Sequence, residues 1–181
     1  MGLRKIKREK RELREQTLLR YAKEKQRNVL AEPGCKSFII VLDNLKSSFN
    51  VPKIFRTAEA FGCHAIHLVN IEPFDPSPAK GTFRKVPAVF HDSFKSCYDN
   101  LIADGYTLYA LEAGQDNKLN ESSLPEKSAF IFGNEGLGLS FDKTNYPELK
   151  TLAIPHFGVT ESLNVSVAAS IAMYEYIRQF P

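Results

Sequence analysis

The chain predicts an α/β domain on a mostly parallel sheet with helices on both faces, and three observations carry that expectation. From residue 37 onward, short apolar runs of strand length alternate with stretches of helical spacing. Several of these runs end in polar or Gly-rich loops, the place where open parallel sheets bind ligands. The first 31 residues break the pattern and read as a basic helix of their own. The 181 residues suit one domain with an appendage, and a hydrophobic share of 43% is enough for a packed core.

Residues 4–28 are rich in Lys, Arg, Glu, Gln and Leu, all good helix formers. Glu9, Glu12 and Glu15 stand among basic residues at spacings that allow same-face pairs. Leu13, Thr17 and Tyr21, flanked by Leu18 and Ala22, make only a narrow apolar stripe. This helix is therefore expected to dock along its C-terminal half. "AEPGCKS", residues 31–37, breaks it. The expected division is an arm over residues 1–31 and a domain over 37–181.

"FIIVLDN" then reads as a buried strand and "VPKIFRTAEAFG" as a helix stopped by Gly62. "AIHLVN" is a second strand. The Pro/Gly-rich stretch 71–85 is expected to be a loop. "VPAVF" is a short strand, "SFKSCYDNLIADG" a helix closed by Gly105, and "YTLYALEA" a strand. "SAFIFGNEG" is a strand running into a tight turn, "TLAIP" the last strand, and residues 162–179 the last helix.

Charge is unevenly distributed. Residues 1–31 hold eleven Lys and Arg against four Asp and Glu, an excess of +7, while the rest of the chain carries −4. A basic arm on a mildly acidic body points to a polyanionic partner, most simply nucleic acid; a solvated charged helix is the plainer alternative. No apolar run is long enough for a membrane span, and the N-terminus has no apolar core of a secretory signal. Cys35, Cys63 and Cys97 fit neither a disulfide framework nor a zinc spacing, so a reducing cytoplasm and no metal are expected.

Three loops are chemically unusual: "FNVPKIFRTAEAFG", "FGNEGLGLS" and "IPHFGVTESLNVS". Singly each is weak. "GNEGLG" could be a tight turn, Arg56 a helix-surface arginine, and Ser162 a plain helix cap. As a dinucleotide fingerprint "GNEGLG" has the wrong Gly spacing and comes too late in the chain.

In this order the three resemble the motifs of the SpoU, or TrmH-like, family of RNA methyltransferases in the SPOUT superfamily. Asn50, Arg56, Phe61 and Gly62 match the first motif. Gly133, Glu135 and Gly138 match the second, with Gly136 in its extra position. Ile154, Pro155, Gly158, Ser162, Leu163, Asn164, Val165 and Ser166 match the third. The resemblance runs over residues 37–179. It implies a C-terminal deep trefoil knot, which periodicity could not have suggested. It also implies S-adenosylmethionine bound in that knot, a homodimer, and methylation of the ribose 2′-hydroxyl of tRNA or rRNA.

By the same resemblance Leu111, Gly133, Gly138, Ile154, Ser162 and Leu163 hold the cofactor, with Ile154 and Leu163 flanking its adenine. Arg56, Asn50, Glu135, Ser162 and Asn164 form the catalytic set. Arg56 is the family's proposed general base, although a guanidinium is essentially always protonated, so a bidentate phosphate clamp is equally open. Asn50 is expected to orient Arg56 or the ribose. Glu135 is expected to hold the second and third motif loops together. Two positions depart from the pattern: Pro52 replaces a small residue, often Gly, and His156 an apolar one. No separate RNA-binding domain stands ahead of the expected knot domain, which favours a tRNA substrate, with rRNA the other. A catalytically silent RNA-binding protein of the same fold is the competing expectation.

Overall fold

The short apolar runs become six strands: β1 (Ile39–Asp43), β2 (Ala65–Val69), β3 (Ala88–His91), β4 (Thr107–Leu111), β5 (Ser128–Phe132) and β6 (Lys150–Leu152). The computed structural model describes residues 2–46 and 49–181, with side chains from residue 9 onward. These strands all pair in parallel, in the order β3-β2-β1-β5-β4-β6. β1, β2 and β5 are buried along their whole length, the reason their sequences are nearly continuous apolar runs with little alternation. The register sets Leu42 beside Phe132, so the carboxyl ends of β1 and β5 emerge together.

Among the described residues four α-helices complete the fold: α1 (Gly2–Asn28), α2 (Asn50–Ala60), α3 (Phe94–Ala103) and α4 (Val165–Gln179). On one face of the sheet, Ile40, Leu42, Ile66 and Leu68 pack with Ile54 and Phe55 of α2 and with Ala172, Met173 and Tyr176 of α4. On the other, Ile39, Val41 and Val69 meet Phe94, Cys97 and Leu101 of α3. No helix among the described residues is long and apolar enough to cross a membrane.

Three features differ from the sequence expectation. The stretch 71–85 is built into the core. It holds two 3₁₀ turns, and Phe74 and Phe83 are almost fully buried. Pro and Gly set the turns there, while these rings join Tyr21 and Phe55 in one aromatic cluster with centroids 4.9–6.3 Å apart. Second, α1 is pinned through Asn28 as well as its apolar stripe. The Asn28 amide donates to the carbonyls of Phe83 and Val86 at 2.5 and 2.7 Å, and its oxygen accepts from Ala88 N–H at 2.9 Å. Tyr21 is 7% exposed and Leu13 is 64% exposed, so only the C-terminal half of α1 contributes to the core. Four of the arm's basic residues, Arg4, Lys5, Lys7 and Arg8, have side chains outside the described part.

Third, α4 starts at Val165 and not at residue 162. Asn164 caps it, its side-chain oxygen accepting from Ser166 N–H at 2.9 Å and from the Ser166 hydroxyl at 2.6 Å. Ser162 is left in the loop.

Candidate active site

The turn after β5 has a tightly specified backbone. Asn134 and Gly138 exchange both main-chain hydrogen bonds, at 2.7 and 2.8 Å. A Cβ on Gly133 would lie 2.6 Å from the backbone of Gly138, so no side chain fits. Gly133 is thus required by the turn itself, before any ligand is considered. Gly138 has φ +73°, the left-handed region that favours glycine. The Asn134 side chain fills the turn: its oxygen accepts from Gly136 and Leu137 N–H at 2.9 and 3.2 Å, and its amide donates to the Asn44 carbonyl at 2.8 Å.

A buried carboxylate anchors the far side of the turn. Asp43, at the end of β1, accepts from Ser140 N–H at 2.6 Å and from the Ser140 hydroxyl at 2.7 Å. Burial pushes its carboxyl above the ordinary range, although the two Ser140 bonds pull the other way. The motifs in the sequence do not single out Asp43 or Asn134. Their signal is faint: polar residues directly after apolar runs.

From this rigid turn Glu135 reaches outward. It accepts from the Asn50 amide at 2.7 Å, and the Asn50 oxygen accepts from the Asn164 amide at 3.3 Å. Since Asn164 also caps α4, one chain of hydrogen bonds joins the turn after β5, the first residue of α2 and the start of α4. Glu135 therefore holds the third motif indirectly, through Asn50, and Asn50 is engaged with Glu135 and Asn164 and not with Arg56. These bonds lie at the solvent boundary, where a hydrogen bond adds only about 1 kcal/mol of stability. Their convergence is better explained by positioning than by stability.

Beside this relay lies a double cleft at the carboxyl ends of β4 and β5. Two adjoining cavities, of about 100 and 380 Å³, share Leu111, Glu112, Ala113, Ser162, Leu163 and Ala168. Ile154 and His156 line the smaller; Gly133, Glu135 and Gly138 line the larger. All six residues expected to hold a cofactor thus face one cleft. Small and apolar groups dominate its wall, and Glu112 is held by an ion pair with Lys143. In the loops that follow β5 and β6, Leu137, Phe157 and Val159 are 79%, 99% and 103% exposed.

Arg56 stands apart. It is on the exposed side of α2, has no hydrogen bond or ion pair among the described residues, and does not line the double cleft.

The sequence pattern of the SpoU rRNA Methylase family matches residues 37–174. A tRNA/rRNA methyltransferase of Synechocystis, itself uncharacterised, is 32% identical over 146 residues, covering 78% of this chain and 38% of that protein. The 23S rRNA (guanosine-2′-O-)-methyltransferase RlmB of Neisseria meningitidis is 29% identical, over 83% of this chain and 60% of its own. Among solved structures, the SpoU methyltransferase AviRb of Streptomyces viridochromogenes, in complex with AdoMet, superposes with a TM-score of 0.71 at 25% identity, over 82% of this chain and 62% of its own. The chain spans 38% and 60% of the lengths of those two curated relatives. With its three motif loops joined by hydrogen bonds beside one cleft and the family pattern covering most of its length, this chain belongs to the SpoU rRNA Methylase family.

Proposed function

We propose that this chain is an S-adenosylmethionine-dependent methyltransferase acting on the ribose 2′-hydroxyl of RNA, with tRNA the first substrate to test and rRNA the second. The observation that carries the reading is the Glu135–Asn50–Asn164 relay at the edge of the double cleft. It gathers three motifs, far apart in sequence, around a cavity with an apolar floor.

The cleft fits the cofactor by the chemistry of its wall. Leu111, Ile154 and Leu163 offer apolar surface to a purine, while the small Ala113 and Ala168 and the Gly133 and Gly138 backbone leave room for close approach. Bound there, S-adenosylmethionine supplies an electrophilic sulfonium methyl group. The residues' task is to hold the acceptor hydroxyl in line and to remove its proton. Asn50, fixed from both sides, is a donor and acceptor of defined orientation for the ribose. Asn164 and Glu135 position it. Ser162, which lines both cavities of the cleft, binds cofactor or ribose. Arg56, free of protein partners among the described residues, meets the RNA. It acts either as a clamp on the phosphate next to the reacting ribose or as the base of the family's proposed mechanism.

Four further parts belong to this proposal. Residues 1–31 form an RNA-binding arm on a methyltransferase domain over 37–181. The C-terminal segment is threaded into a trefoil knot. This is supported by its path: the chain leaves β6 at the sheet edge, and α4 returns to the centre, against Phe38 and Phe130. A homodimer forms through α4, whose Val167, Ile171 and Tyr174 stay 48%, 37% and 60% exposed. The cytoplasm is the compartment expected of such an enzyme. The test of the reaction is incubation of the purified chain with methyl-labelled S-adenosylmethionine and bulk tRNA or rRNA. Label in RNA supports the proposal; RNA binding with no transfer to any RNA pool indicates the catalytically silent reading instead.

A further inference from the structure

On the sheet face that carries α3, three potential metal ligands from three elements meet. His67 lies on β2, His91 ends β3, and Cys97 is in the first turn of α3. All three are buried. His67 Nδ1 is 3.0 Å from His91 Nε2 and 3.6 Å from Cys97 Sγ, and the three atoms all lie within 4.8 Å of one another.

We propose that His67, His91 and Cys97 form a binding site for a borderline transition-metal ion, zinc(II) first, that ties β2, β3 and α3 together.

The geometry is that of a coordination triangle. Metal–nitrogen and metal–sulfur bonds of about 2.0 and 2.3 Å at a tetrahedral ion separate two nitrogens by about 3.4 Å and a nitrogen from a sulfur by about 3.6 Å. The observed separations at His67 are already close to these. Two imidazoles and one thiolate are also the ligand chemistry that zinc takes, as opposed to magnesium or calcium.

A hydrogen bond accounts for the approach of His67 and His91 but not for the placing of Cys97 Sγ beside the same nitrogen. His67 Nδ1 faces both His91 and Cys97, yet one ring nitrogen offers either a single hydrogen or a single lone pair. It cannot satisfy both neighbours fully in either tautomer, whereas a metal at the centre of the three uses one lone pair from each. A metal takes the imidazoles neutral and the sulfur as thiolate. Binding is therefore an exchange in which the Cys97 S–H bond breaks, the sulfur–metal bond forms, and one proton leaves to solvent.

The ion would brace the wall behind the catalytic turn. Phe94, one turn before Cys97, stacks on Phe141 with ring centroids 3.5 Å apart, and Phe141 follows the Ser140 that Asp43 holds. Nothing in the spacing of the chain hints at this cluster: its members are 24 and 6 residues apart and meet only through the parallel register of β2 and β3.

The test uses the untagged full chain, stripped with a chelator and dialysed against zinc(II) or cobalt(II) alone. One equivalent of zinc per chain is expected, with a rise in melting temperature. Cobalt is expected to give a thiolate charge-transfer absorption that disappears in Cys97→Ser and persists in Cys35→Ser, a change at the exposed cysteine. Cys97→Ser and His91→Asn should each weaken zinc binding at least ~10-fold, the lower end of what even an outer-sphere change does. Lack of stoichiometric uptake by the wild-type chain overturns the site, and so does an absorption that follows Cys35. If Cys97→Ser does not fold, His91→Asn decides: unchanged zinc affinity there also overturns the site.

Discussion

Asn50 and Glu135 face each other at 2.7 Å across 85 residues of sequence, and the chemistry proposed for this chain depends on pairings of that kind. The motif residues are legible as types at spacings, because a close backbone approach demands Gly and a helix mouth demands a capping side chain. Their partners are not. Asp43 and Asn134 act through the register of β1 and β5, and no local pattern reports register between distant strands. Three predictions belong at this scale. Arg56→Ala should leave cofactor binding intact, since Arg56 lies outside the double cleft, while single-turnover methylation falls roughly 100-fold or more. Arg56→Lys separates the two roles: a rate that recovers as pH rises marks a base, and a rate as low as that of Arg56→Ala marks a bidentate clamp. Gly133→Ala should destabilise the fold by about 1–3 kcal/mol, the scale of overpacking, because the added Cβ meets the Gly138 backbone. A denaturant midpoint equal to wild type would show that the turn can relax around it.

At the scale of elements, the alternation of strands and helices is readable because each has its own period, 2 or 3.6, or a length that discriminates them. The aromatic segment at 71–85 is not, because Pro and Gly mark turns without saying whether the turn is covered. The arm is half legible. Its stripe shows that only the C-terminal half docks, but Asn28, a polar residue at a helix end, gives no sign that it pins three backbone groups. Asn28→Ala should cost about 1–3 kcal/mol in urea denaturation, since it leaves buried backbone groups without partners. The same anchoring shapes the test of RNA binding. Deleting the whole arm would remove Tyr21 and Asn28 from the core, so exposed charges should be neutralised instead. Changing Lys10, Arg11 and Arg14 to Gln should weaken RNA binding and lower its salt slope by about 0.7–0.9 for each phosphate that these side chains neutralise. An unchanged slope would remove the arm's described charges from the RNA interface.

For the whole molecule, the parallel sheet follows from the sequence pattern, but the strand order and the chain path do not. Which edge each crossover takes is decided by long-range packing, here by α2 and α4 covering one face and α3 the other. The assembly state is a property of the same scale. Ile171→Asp, placing a charge in the exposed apolar face of α4, should turn a dimer into a monomer in analytical ultracentrifugation; a wild-type chain that sediments as a monomer at micromolar concentration contradicts the proposed interface. The central claim, transfer to the ribose and not to a base, has a direct chemical signature. A 2′-O-methyl group removes the nucleophile that alkali uses to cleave the adjacent phosphodiester. RNA labelled by this chain from S-adenosylmethionine should therefore release its label in alkali-resistant dinucleotides. Label recovered in single nucleotides would place the methyl group on a base and contradict the account.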